Sequence, residues 1–256
     1  MNAFRSIRTF AVTSALAFGI LPLHAETAAE LIAKGDAADK SFAPAQALKS
    51  YLPAEKLDPN DVKLLLRIAR QYRHLMCDTS NNDQKLKYGS ISLTYANRAA
   101  ALAPKDSEAQ LSPAISYGKM LPFEGKGQQV AASPLIKAAA DKAIRLDPGN
   151  DTAWHVLGRW HQSVANISGA KRAVGEVLYG KLPVGSNTTS VSCFNKAIAL
   201  NPGRLRHYIE LGRTYAQMGN QADAKKYIQK GMSMPNKEKD DYELKALGKE
   251  TLAELR

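Results

Sequence analysis

Arginine recurs in this chain at positions where it could do chemistry. Arg70, Arg159 and Arg213 each follow a small residue, Ala69, Gly158 or Gly212, inside an apolar run. Lys63, Arg70 and His74 stand at i, i+7 and i+11, one stripe of a helix. His155 lies four residues before Arg159, and Arg206 seven before Arg213. A guanidinium offers a planar fork of donors that grips both oxygens of a carboxylate or phosphate. Like charges repeated along one face repel unless an anion lies among them. Lys63, Arg70, His74, His155, Arg159, Arg206 and Arg213 are therefore the candidate site for an anionic partner: an acidic peptide, a C-terminal carboxylate or a lipid head group.

Other reactive side chains do not assemble into a site. WHVLGRWH (154–161) holds both tryptophans and two of the five histidines. His155 and His161 are six residues apart, about 240° around a helix, so they cannot share a metal. Cys77 and Cys193 lie 116 positions apart and read as two isolated thiols rather than a bridge. The chain has no Gly-rich phosphate loop, C-x-x-C, H-E-x-x-H or G-x-S-x-G. No catalytic, metal-binding or cofactor-binding residue is nominated, and a non-enzymatic protein is expected.

The elements that must position the arginines are helices. Ala-x-x-Leu-x-Pro recurs as AEKLDP (54–59), AAALAP (99–104), AIRLDP (143–148) and AIALNP (197–202), with a degraded GMSMP at 231–235. Each proline stops a helix and turns the chain. The prolines are 45, 44, 54 and 33 residues apart, the period of stacked helix pairs. In the second unit a helix over 61–77, a polar turn at 78–83 and a second helix to Ala103 are expected. In the third, PFEGKG (122–127) is the turn and Pro113 should kink the first helix. In the fourth, an insertion at 167–189 separates the paired helices. Its stripe Ala173, Val174, Val177, Leu178 predicts a short helix, with Thr188 or Thr189 capping the next one. It reads as a loop tucked over repeat edges or, alternatively, a lid that touches a partner. A capping helix over about 240–255 carries the stripe Leu244, Leu247, Thr251, Leu255.

Registered on these endings, the units resemble tetratricopeptide repeats. The first supplies Leu31, Gly35, Ala47, Tyr51, Ala54 and Pro59; the last supplies Tyr208, Leu211, Gly212, Tyr215 and Ala224. That resemblance implies an all-α fold, a right-handed α-solenoid of about five helix pairs over 26–256 with a C-terminal capping helix. It also implies that the arginine position of each first helix lines the concave face. In this register Trp154, Leu157, Gly158 and His161 are packing positions, and Ala153, Val156, Trp160 and Val164 face the neighbouring unit. Both indoles are then core.

A more specific resemblance lies in the fourth unit. W-H-x-L-G-x-W, Val164-Ala165, Lys171-Arg172, the Tyr-Gly-x-Leu-Pro run at 179–183, Ser186 and the F-x-K-A ending are similar to the regulator of microtubule dynamics family. Residues 64–70 also fit. The family implies an all-helical interaction protein rather than an enzyme. Its eukaryotic members associate with microtubules and organelle membranes, and it has bacterial homologues.

Residues 1–25 read as a secretory signal: Arg5 and Arg8, an uncharged run from Thr9 to Leu23, then a cleavage site after Ala25. A bacterial, exported homologue is expected, periplasmic or secreted, with a mitochondrial transit peptide as the alternative. Loss of these residues removes two arginines and lowers the formal charge from +11 to +9, with no membrane span in the remainder. A basic balance suits anionic partners, and export argues against nucleic acid. Two function classes follow, a protein-binding scaffold and a carrier of a lipid or other small amphiphile. A carrier needs Leu, Val or Phe at the concave positions and a scaffold for anionic partners needs cations there; the arginines favour the scaffold.

Overall fold

The structure is a computed structural model that describes residues 26–255, so the signal read at 1–25 lies outside it. Among the described residues every regular element is helical: α1 (Ala28–Lys40), α2 (Pro44–Leu57), α3 (Val62–Leu75), α4 (Asn82–Leu102), α5 (Ser107–Met120), α6 (Lys126–Leu146), α7 (Asp151–Ala165), α8 (Gly169–Tyr179), α9 (Asn187–Leu200), α10 (Leu205–Gln217), α11 (Gln221–Ser233) and α12 (Asp241–Glu254). The pairs α1/α2, α3/α4, α5/α6, α7/α9 and α10/α11 pack face to face, and each pair stacks on the next. This is the expected α-solenoid, capped by α12 against α10 and α11.

The recurring motif explains the stacking. Ala54, Ala99, Ala143 and Ala197 are all fully buried where second helices meet the next unit. Two residues beyond Pro59, Pro104 and Pro148 stands an Asp or Asn that caps the following helix. Asp61 Oδ1 accepts the Leu64 N–H at 3.1 Å, Asp106 the Ala109 N–H at 2.8 Å and Asn150 the Ala153 N–H at 3.0 Å. Motif and cap together end one helix and start the next. Close approach also requires small residues: a Cβ on Gly212 would lie 2.8 Å from both Ala224 O and Ile228 N of α11.

Boundaries depart slightly from expectation. The helix expected over 61–77 ends at Leu75 and tightens into a 3-10 turn, Met76–Asp78. Helix α5 runs through Pro113 without ending. Ser186, not Thr188 or Thr189, caps α9; its Oγ accepts the Thr189 N–H at 3.2 Å. Trp160 is buried and Trp154 packs against the same cluster, as expected of core indoles. Both thiols are free, and burial pushes Cys77 up to about 12 and Cys193 to about 11.

Candidate functional site: the concave face

First helices α3, α5, α7 and α10 lie side by side along the concave face. The structure places most of the candidate stripe there, but surrounds it with carboxylates of the chain itself. Arg70 forms an ion pair with Asp39 of α1. Arg159 NH1 donates to Glu210 Oε2 at 2.6 Å and to Gln162 Oε1 at 2.8 Å, while Arg213 NH1 donates to Glu210 Oε1 at 2.9 Å. Glu210 is 1% exposed. Burial alone would raise its pKa, yet the two guanidiniums hold it below the usual range. Arg206 pairs with Glu238, and with Asp240 at 2.8 Å. Lys63 is exposed at the rim.

Of the two histidines of the stripe, His155 is buried and His74 half-buried, and both are uncharged at neutral pH. Burial pushes His74 down to about 4, and its Nδ1 lies 3.9 Å from Asp39 Oδ1. His155 Nδ1 is 3.0 Å from His207 Nδ1, and His207 Nε2 is 2.9 Å from Asp151 Oδ2. Burial holds both rings below their ordinary pKa, His155 furthest. A neutral His207 that donates Nε2–H to the Asp151 carboxylate must accept at Nδ1, so the His155 Nδ1–H is the donor. Asp151 Oδ2 also accepts from Arg204 NH1 at 2.9 Å. Lys63 and Arg70 stand clear of the core, whereas His155 is buried in it.

Two adjoining hollows occupy this face. The larger is a cavity of about 980 Å³. Its walls include Ile115, Ile136, Val156, Trp160 and Val164; Val174 and Leu178 of α8 and Leu244 and Leu247 of α12 also line it. Lys85, Lys126 and Lys171 stand among these apolar walls, with Arg159. Helix α8 buries no side chain of its own: Val174 is 61% and Leu178 65% exposed. The smaller hollow, about 450 Å³, is cationic, lined by Lys63, Arg70, Arg73, His74, Lys119 and Arg206 among others. Ile115, Lys119, Thr152, Arg206 and Asp240 line both. The candidate stripe is thus divided: Lys63, Arg70 and His74 face the smaller hollow, His155 and Arg159 the larger, Arg206 both, and Arg213 neither.

Arg73, Lys119 and the Asp151–His207–His155 chain belong to this face and carry no repeat signature. Glu210 had a local signal, three residues before Arg213 on one helix. The acidic run Glu238, Asp240, Asp241 was visible as composition, but not that it reaches back to α5 and α10.

Stacked helix pairs around a concave, partly apolar face define a tetratricopeptide-type interaction scaffold. A family model described as regulator of microtubule dynamics protein 1-3 matches residues 26–256, and the chain belongs to that family. It is 26% identical over 185 residues to regulator of microtubule dynamics protein 2 of Homo sapiens, covering 72% of this chain and 45% of that one. It is 27% identical over 212 residues to protein 1 of Bos taurus, covering 81% and 66%. The chain thus spans about half the length of most of the curated relatives it matches. Among solved structures, a thermophilic tetratricopeptide-repeat protein of Thermus thermophilus shares the fold, with TM-score 0.64 at 15% identity over 89% of this chain and all of that one. No helix among the described residues is long and apolar enough to cross a membrane.

Proposed function

We propose that this scaffold carries an anionic amphiphile, with the apolar chain in the larger cavity and the charged end toward the cations around it. The observation that carries the reading is the cavity itself: about 980 Å³, walled by Ile, Val, Leu and Trp side chains and interrupted by lysines. Pockets of this size take molecules the size of a lipid chain or a drug. The cavity wall holds Leu and Val residues of the kind a carrier requires, many of them from α8 and α12, while the arginines of the concave positions already meet Asp39, Glu210, Glu238 and Asp240. That internal neutralisation weakens the case for a long acidic peptide laid along the arginine stripe. Helix α8 acts as a lid. It is held by few contacts, and Val174 and Leu178 line the cavity while staying largely exposed.

Mass spectrometry of protein purified from its own host tests this. The native chain should retain about one amphiphile per molecule, and Ile115→Trp, which fills the cavity from α5, should retain less with unchanged helical circular dichroism. Native protein that carries no amphiphile, and takes up none from a dodecyl phosphate solution, overturns the reading.

A further inference from the structure

Arg73 is the one buried arginine among the described residues with no carboxylate within ion-pairing distance. It is 8% exposed, and NH1 is held by three hydroxyls: Ser92 Oγ at 3.3 Å, Ser112 Oγ at 3.4 Å and Ser116 Oγ at 3.2 Å. Two of these hydroxyls have backbone acceptors for their own protons. Ser92 Oγ donates to Ala69 O at 2.8 Å, and Ser116 Oγ can donate to Ser112 O at 3.2 Å or to Ser92 Oγ at 2.9 Å. Their lone pairs therefore face the guanidinium and fix its direction. Nε and NH2 of Arg73 bond no atom among the described residues.

The surroundings increase the imbalance. Burial first, with Arg70 and Arg206 nearby and Asp240 opposing, lowers the Arg73 pKa to about 10. The group stays charged at neutral pH. Burying a cation against hydroxyls alone is unfavourable relative to pairing it with a carboxylate or another anion. Two buried atoms of side chains lining the same hollow lack partners, Arg206 Nε and His74 Nδ1. Three carboxylates also line it: Arg206, Arg204 and Lys119 already hold Glu238 and Asp240, while Glu108 is solvent-exposed and pairs with no cation among the described residues.

We propose that the 450 Å³ hollow is a phosphoryl-binding site, with Arg73 as its fixed centre and Arg70, Lys119 and Arg206 around it. The donors come from three helices, α3, α5 and α10. Donors on three helices suit the several oxygens of a phosphate, and its charge meets that of Arg73, the cation of this group that no carboxylate pairs. The proposal deepens the amphiphile reading by naming its head group, since the two hollows share Lys119 and Arg206. It rests on that reading only for the choice between a free and an alkylated phosphate.

Isothermal titration of the chain with inorganic phosphate, against chloride at equal ionic strength, tests the site. One saturable site is expected for phosphate and none for chloride. Arg73→Met removes the buried charge at similar size, so it should fold at least as stably and bind phosphate weaker by roughly ten-fold or more. Arg73→Lys should recover part of the affinity. Phosphate binding to Arg73→Met at native strength, or no binding to the native chain, overturns the proposal. Dodecyl phosphate then separates the sources: tighter binding than phosphate identifies a head group, and equal binding a free phosphate. Uncharged dodecyl maltoside reports on the cavity alone. Its uptake by Arg73→Met keeps the carrier reading intact even where the phosphate site has failed.

Discussion

Glu210 makes the concave charges testable as structure. Replacing Arg159 and Arg213 together by Ala strips both partners from a carboxylate that is 1% exposed. If these arginines were only solvated surface, stability would hold or rise. The geometry demands the opposite. Removing the partners of a buried ion costs about 3–5 kcal/mol. The carboxyl can escape by taking a proton, which from an ordinary pKa near 4.3 to pH 7 costs roughly 3.5–4 kcal/mol and so sets a ceiling. The double variant should therefore lose about 3–4 kcal/mol at pH 7, a drop in Tm on the order of 6–15 °C for a domain of this size. The pH dependence carries the proof. Folded variant holds a proton on Glu210 that the unfolded chain lacks, so below pH 7 its stability rises relative to the parent by about 1.4 kcal/mol per pH unit. Urea unfolding at pH 7 and pH 5 reads this directly, with the deficit shrinking to about 1 kcal/mol at pH 5. Adding Glu210→Gln to the double variant should restore most of the loss at pH 7. A double variant within about 0.5 kcal/mol of the parent at pH 7, or a deficit the same at both pH values, refutes the reasoning.

Three further outcomes are expected. Gly212→Ala should cost about 1–3 kcal/mol in urea, because its Cβ meets two backbone atoms of α11; Gly118→Ala, with open space around it, should be neutral or stabilising by up to about 1 kcal/mol. Burial keeps His74 neutral with a folded pKa of about 4, below that of the unfolded chain. The unfolded state then binds more protons, and stability should fall from about pH 6.5 toward pH 4 by roughly 3 kcal/mol from this residue, a slope that His74→Phe removes in a urea series. Val174→Ser with Leu178→Ser on α8 should leave unfolding within about 0.5 kcal/mol of the parent, since the helix buries nothing, while retained amphiphile falls in native mass spectrometry.

What the residues reveal unaided depends on whether the information is local. Ala-x-x-Leu-x-Pro marks a helix end and, two positions on, an Asp or Asn cap. Periodicity therefore recovers the helix pairs and the buried alanines. A stripe at i, i+7, i+11 likewise assigns Arg70 to a face of α3. It cannot say what opposes that face. Asp39 approaches Arg70 from the preceding unit and Glu238 approaches Arg206 from beyond α11, so the superhelix sets both pairings. Apolar side chains at Val174 and Leu178 announced a helix, but their cavity is made by α5, α6, α7 and α12 together.

The arginine repeated from unit to unit is best understood as a clasp between units. Arg70 of the second unit reaches Asp39 of the first, and Arg67, one turn earlier, reaches Asp36 at 2.8 Å. Arg159 of the fourth unit reaches Glu210 of the fifth. In a solenoid, stability is close to a sum of unit and interface contributions, so clasps at the first and last junctions stabilise the two ends of the array. The exposed pairs are worth at most about 1 kcal/mol each, the buried Glu210 pairing more. Selection for such clasps explains a recurring arginine without any ligand. It does not explain Arg73, which has no carboxylate across any junction and three serines arranged to hold it. The residue that breaks the repeat's pattern, rather than those that keep it, is the centre of the proposed phosphoryl site.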